Sequence, residues 1–238
     1  LAATGARPLI RIWSADTFER AREIPFPFLK PDTFATMLAF SGDGRRLLTS
    51  DRFQLLELDV ATGRLNHAVT LATQHPLVGQ VLVMPDFQSL LVCGEGDPSG
   101  VIGRLGWPDT SRRWPALAGH TGVIGELALS RDGRLVASTA RDGTVRLWAT
   151  RTGTPRGVLS GHVGAVNSVA FAPDGRTLAT AGVDGTVRLW SLAGRREAVT
   201  LPGTVAPQSS VRFSPDGREL VAFSVGGALR VWWAPGPP

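Results

Sequence analysis

Two stretches of this chain are near-copies of one another. LAGHTGVIGELALSRDGRLVASTARDGTVRLW ends at Trp148, and LSGHVGAVNSVAFAPDGRTLATAGVDGTVRLW ends at Trp190. A third copy, LPGTVAPQSSVRFSPDGRELVAFSVGGALRVW, ends at Trp232, so the copies follow one another every 42 residues. A fixed period near 40 marks a repeat architecture, in which each unit buries its apolar face against its neighbours. Upstream the copies decay. Asp43-Gly44-Arg45-Arg46-Leu47-Leu48 matches Asp174-Gly175-Arg176-Thr177-Leu178-Ala179, in a copy that ends at Leu58. Another runs through Val83-Met84-Pro85-Asp86 and ends near Leu105, and residues 1–13 match only the back half of a unit, ending at Trp13. The chain therefore divides into a half repeat, 1–13, repeats 14–58, 59–105, 106–148, 149–190 and 191–232, and a tail, 233–238.

Inside each unit the local signals are β. Val166-Asn167-Ser168-Val169-Ala170-Phe171 alternates apolar and polar, as a half-buried strand does. Pro173-Asp174-Gly175 makes a tight turn, with proline setting φ and glycine accepting a positive φ. Thr177–Ala181 is a second strand, Asp184-Gly185 a hairpin turn, Thr186–Trp190 a third strand, and a weaker fourth lies around Ala198-Val199-Thr200. Four short antiparallel strands per unit, tiled radially, predict an all-β fold of the β-propeller class, with about six blades visible.

Composition narrows the function classes. A hydrophobic content of 43% and a charged content of 19% are globular values. No run of 18 apolar residues exists, so no membrane span is expected. The single cysteine, Cys93, lies in the strand-like run Leu90-Leu91-Val92-Cys93 and reads as an inert buried thiol in a reducing, cytoplasmic setting. The net charge of +5 raises nucleic-acid binding as an alternative, but the basic residues form no stripe with interleaved aromatics. Lys30 is the one lysine among 25 basic residues, a usage that points to a GC-rich bacterial genome. Arg11, Arg146, Arg188 and Arg230 share one register, and their stems are expected to cover apolar blade surface with the heads in water. A shared anion-binding face is the alternative reading of that register.

Gly119-His120, Gly161-His162, the Pro-Asp-Gly turns and the Asp-Gly-Thr-Val-Arg-Leu-Trp endings resemble the WD-repeat propeller family. The residues after the strand-three tryptophans are Ala149, Ser191 and Trp233, so the family's Trp-Asp pair is absent. The resemblance implies a buried hydrogen-bonded tetrad in two units, His120, Ser138, Asp142 and Trp148 in one, His162, Thr180, Asp184 and Trp190 in the other. A Ser–His–Asp set also invites a catalytic-triad reading. Its recurrence in the same slot 42 residues on, with Thr180 replacing Ser138, favours a structural role. The third clean unit has Thr204, Ala222 and Gly226 in those slots and keeps only Trp232, while Thr49 and His75 read as remnants upstream. Stability is therefore expected to concentrate in 107–200. Gly94–Gly100 reads as a lengthened hairpin loop, since no helix or Lys-Ser/Thr pair follows it.

The resemblance implies repeats offset from blades, each supplying the outer strand of one blade and the inner three of the next. On that phase the chain begins in mid-blade. It is expected to be an incomplete part of a seven-bladed parent, with unpaired edges at both ends. The implied function is a non-catalytic protein-interaction scaffold, the C-terminal docking or sensor module of a larger bacterial protein with further domains before it. No cofactor and no metal are expected, and no ionisable cluster recurs where inner strands would line the channel. A propeller enzyme with a central-channel site is the third alternative. Carried over from the family, the docking face is Val123, Gly125 and Arg141; Ala165, Asn167 and Val183; Pro207, Ser209 and Val225.

Overall fold

A computed structural model describes residues 2–4, 9–13, 20–25, 37–41, 43–50, 54–70, 78–94, 96–202 and 206–233. Among them, 22 strands form six antiparallel sheets in which each strand pairs with its neighbour in sequence. The first sheet holds β1 (Ala2–Thr4), β2 (Leu9–Trp13) and β3 (Arg20–Pro25). The second holds β4 (Met37–Phe40), β5 (Arg46–Ser50), β6 (Gln54–Asp59) and β7 (Leu65–Thr70). The third holds β8 (Val78–Val83), β9 (Ser89–Gly94), β10 (Ile102–Gly106) and β11 (Arg113–Leu117). The fourth holds β12 (Ile124–Leu129), β13 (Leu135–Ala140), β14 (Thr144–Ala149) and β15 (Pro155–Ser160). The fifth holds β16 (Val166–Phe171), β17 (Thr177–Gly182), β18 (Thr186–Ser191) and β19 (Arg196–Pro202). The sixth holds β20 (Gln208–Phe213), β21 (Glu219–Ser224) and β22 (Leu229–Trp233). The architecture is all-β, in blades of the propeller kind.

The core is split into five apolar layers, each between consecutive sheets. Ile10 and Ile24 meet Leu47, Leu56 and Leu58 across the first seam. Leu48 and Leu55 meet Phe87, Leu90 and Trp107 across the second. Cys93 and Ile102 meet Leu127, Val136 and Trp148 across the third. Val145 and Leu147 meet Val169, Leu178 and Trp190 across the fourth, and Ala179, Ala181 and Val187 meet Val211, Leu220 and Ala222 across the fifth. No described layer joins the sixth sheet to the first. Each seam needs both its sheets, which explains why one unit alone cannot be stable. The innermost strands β12, β16 and β20 pack side by side, so the sheets radiate from a common axis.

The turns between first and second strands repeat one device. Ser41, Ser130 and Ser214 donate their hydroxyls to Asp43, Asp132 and Asp216, whose carboxylates accept the backbone N–H two residues on. The next residue is glycine at a φ of 69, 68 and 73° respectively, where a side chain would be strained. The third sheet breaks the rule with Phe87 at φ 54°. Its buried ring, with the Arg46 guanidinium 4.4 Å from its centroid, fills the second seam and offsets that strain.

Candidate docking face

The two histidine-bearing units build the same hydrogen-bonded frame. In the fourth sheet, Trp148 Nε1–H donates to Ser138 Oγ at 2.9 Å, and Ser138 Oγ lies 2.8 Å from His120 Nε2. His120 Nδ1 lies 2.9 Å from Asp142 Oδ2. In the fifth sheet, Trp190 Nε1–H donates to Thr180 Oγ1 at 2.8 Å, Thr180 Oγ1 lies 2.8 Å from His162 Nε2, and His162 Nδ1 lies 2.9 Å from Asp184 Oδ2. Donor counting fixes the protons. The carboxylate only accepts, so Nδ1 carries the proton that faces it; in a neutral imidazole Nε2 is then the acceptor, and the hydroxyl, which accepts from the indole, donates its own proton to it. Register delivers the hydroxyls: Ser138 and Thr180 sit opposite Arg146 and Arg188 in their second strands.

Each aspartate also organises two turns. Asp142 accepts the backbone N–H of Thr121 and of Thr144 and the Thr144 hydroxyl, each within 2.9 Å. Asp184 does the same for Val163 and Thr186. The threonines after Asp-Gly are thus members of the network, a role the sequence reading missed. Ser138 has no exposed surface and its oxygen already serves the indole and the imidazole. A nucleophile must reach its substrate, so the triad alternative fails on access.

Burial pushes both histidines down from 6.5, although Asp142 and Asp184 pull the other way. Burial alone would raise the two carboxyls. The N–H of Thr121 or Val163, the Thr144 or Thr186 groups and the histidine outweigh it and hold each at about 2. Both effects have one sign. The unfolded chain takes up protons on these histidines below about 6.5 and on these carboxylates below about 3.8, whereas the folded chain resists both. Stability should therefore fall as pH drops from 6.5 and fall again between 3.8 and about 2. Thermal melts from pH 7.5 to 4 should show a declining Tm, with a shallower decline between 6.5 and 5 in His162→Gln. A pH-independent Tm would contradict the neutral-histidine frame.

The arginine register meets the expectation that the heads reach water only in part: Arg230 is exposed and the Arg11 side chain is 37% exposed, whereas that of Arg188 is 15% exposed. Arg188 Nη1 lies 2.6 Å from Glu197 and its Nη2 3.6 Å from Asp184. Arg11 pairs with Glu23 at 3.0 Å, and Arg230 donates to the Pro202 carbonyl. Arg11 and Arg188 thus tie neighbouring strands of their own sheets, Arg230 reaches from the sixth sheet to the outer strand of the fifth, and the Arg146 Nε is buried with no hydrogen-bond partner. The position of these heads also explains the glycines before the histidines. A Cβ on Gly119 would stand 2.7 Å from Arg146 Nη1, and one on Gly161 2.9 Å from Arg188 Nη1 and 3.2 Å from the Trp190 ring. Cys93 is buried, and burial pushes its thiol up to about 11.

Of the nine candidate docking residues, the structure brings six together in pairs. The N–H of Arg141, Val183 and Val225 donates to the carbonyl of Val123, Ala165 and Pro207 respectively, at 2.9 to 3.0 Å. Arg141, Val183 and Val225 are exposed, Val183 at 39% and Val225 at 70%, and Val163 beside them at 76%. The other three serve packing. A Cβ on Gly125 would stand 2.7 Å from the Val166 carbonyl, so its glycine lets two blades approach. Asn167 donates its amide to the Gln208 carbonyl across the next seam, and Ser209 donates to the Phe223 carbonyl. Thr204 and His75 lie outside the described residues. Thr49 is buried and donates to the Met37 carbonyl.

Two clusters escaped sequence reading. Glu126 on β12 accepts from Ser168 on β16 at 2.6 Å and from Arg212 Nη2 on β20 at 2.6 Å, tying three inner strands at the axis. It occurs once and its groups are used on one another. Glu57, 4% exposed, accepts Trp107 Nε1–H at 2.7 Å across the second seam, where no tetrad exists. A glutamate in an otherwise apolar strand, Leu55-Leu56-Glu57-Leu58, was the available signal. Among the described residues no group of His, Cys, Asp and Glu could hold a metal, and no helix is long and apolar enough to cross a membrane.

Radial four-stranded blades with buried Trp–Ser/Thr–His–Asp frames define a propeller built from tandem repeats. The family model "WD domain, G-beta repeat" matches residues 113–149, 153–191 and 196–232. Residues 113–232 thus carry three tandem repeats of the WD-repeat family. Over 68 residues it is 35% identical to the small ribosomal subunit protein RACK1 of Neurospora crassa. That match covers 28% of this chain and 22% of the relative, so the chain spans less than a quarter of that protein's length.

Proposed function

We propose that the chain is a non-catalytic scaffold that docks a protein partner on the face carrying the tetrad turns. The observation that carries this reading is the threefold recurrence of Val123/Arg141, Ala165/Val183 and Pro207/Val225. Each pair is pinned by the same backbone hydrogen bond, and its second member is turned to solvent. Exposed valines on a rigid frame give an apolar contact at little ordering cost, and Arg141 adds a charged anchor. The three matched WD repeats support the reading, as does likeness to a protein named for the ribosomal subunit it belongs to. The arginine-rich composition and the single buried cysteine support placing the scaffold in a bacterial cytoplasm, with residues 1–238 as one propeller unit. The nucleic-acid alternative draws little support from the arginine register, because the heads of Arg11, Arg188 and Arg230 have partners within the protein.

Val183→Asp combined with Val225→Asp should leave the Tm within about 2 °C, since both side chains are exposed. It should reduce partner capture from a lysate at least about tenfold, because each buried aspartate would be desolvated unpaired. Capture of the same partner at full yield would remove this face from the account.

A further inference from the structure

A cleft of about 560 Å³ opens between the third and fourth sheets, on the side away from the tetrad turns. Its walls include the β8–β9, β12–β13 and β14–β15 turns. Arg104, Arg134, Arg151 and Arg156 line it against one carboxylate, Asp86. Asp86 already accepts the Gln88 backbone N–H at 2.9 Å. Asp132 stands 3.9 Å from Arg134, but both are largely in water, where such a pair is weak. Among the described residues Arg151 and Arg156 have no carboxylate within ion-pair distance. At the floor, Arg104 Nη1 donates to the Arg151 carbonyl at 2.9 Å, which fixes the guanidinium. Its Nε and the Thr150 hydroxyl are buried with no hydrogen-bond partner.

We propose that this cleft binds a phosphate-bearing anion. A phosphate group brings close to two negative charges and three acceptor oxygens, and guanidinium forks match it in a bidentate way. The volume lies in the small-ligand range of roughly 300–1,000 Å³. The site stands apart from the docking face and does not rest on it. Its arginines are also different from the Arg11, Arg146, Arg188 and Arg230 register.

The test is calorimetric titration of the chain with inorganic pyrophosphate and, separately, with O-phosphoserine, at about 0.15 M salt so that diffuse attraction is screened. The expected result is saturable one-to-one binding that weakens at least about tenfold in Arg151→Ala/Arg156→Ala. Arg176→Ala/Arg218→Ala removes the same charge from exposed turns of the fifth and sixth sheets and should stay within about twofold of wild type. Tighter binding of pyrophosphate assigns the cleft to free phosphate compounds, and tighter binding of phosphoserine to a phosphorylated side chain; both uphold the site. Equal weakening in the two double variants, or no saturable binding of either probe below about 10 mM, overturns it.

Discussion

Replacing Asp142 by alanine is expected to cost about 3–5 kcal/mol of stability. Four donors lose their acceptor together: His120 Nδ1–H, the N–H of Thr121 and of Thr144, and the Thr144 hydroxyl. The aspartate links the loop entering the fourth sheet to the hairpin between β13 and β14, so both turns loosen at once. Ser138→Ala should cost less, about 2–3 kcal/mol, because it orphans the indole N–H and the imidazole Nε2 alone. Urea unfolding measures both. The account requires the midpoint to move with the slope unchanged, since a change in slope would report a different unfolded state. A loss below about 1 kcal/mol for Asp142→Ala would show that the frame contributes little.

Glu57→Ala is the second large effect, at about 2–4 kcal/mol. It leaves the buried Trp107 Nε1–H without an acceptor and opens a gap between β6 and the segment after β10. Glu57→Gln keeps an acceptor oxygen and should recover more than half of that loss. The comparison separates the hydrogen bond from the charge, because Arg46 stands 3.9 Å from the same carboxylate and contributes weakly at that distance. If Glu57→Gln is as damaging as Glu57→Ala, the ion pair and not the indole contact holds this seam.

The fold was legible because period and turn chemistry agree with each other. Strands at Val166–Phe171, Thr177–Gly182 and Thr186–Ser191 follow directly from apolar alternation broken at Pro-Asp-Gly and Asp-Gly. The tetrad members could be read from the family resemblance, but not the threonines at 144 and 186, whose role needs the turn geometry of the aspartate beside them. Contacts between sheets were the least legible part. Glu57 with Trp107 are 50 residues apart, and Glu126 with Arg212 are 86 apart, and neither pair repeats. Periodicity reports what every unit shares, so a device used once at a single seam leaves no periodic trace. The same limit explains Gly125, Asn167 and Ser209. Their positions within the repeat match a docking face, while their side-chain space is set by the neighbouring blade or strand.

The central claim is that the histidine–aspartate sets are frame and that the paired positions beside them are the working surface. Photo-crosslinking tests it directly. A photoreactive amino acid placed at Val183, on the proposed face, should yield a discrete adduct with a protein partner. The same group at Arg176, on a turn at the opposite end of β17, should yield none. Adducts from position 176 with none from 183 would contradict the account and put the docking surface on the other side of the blades.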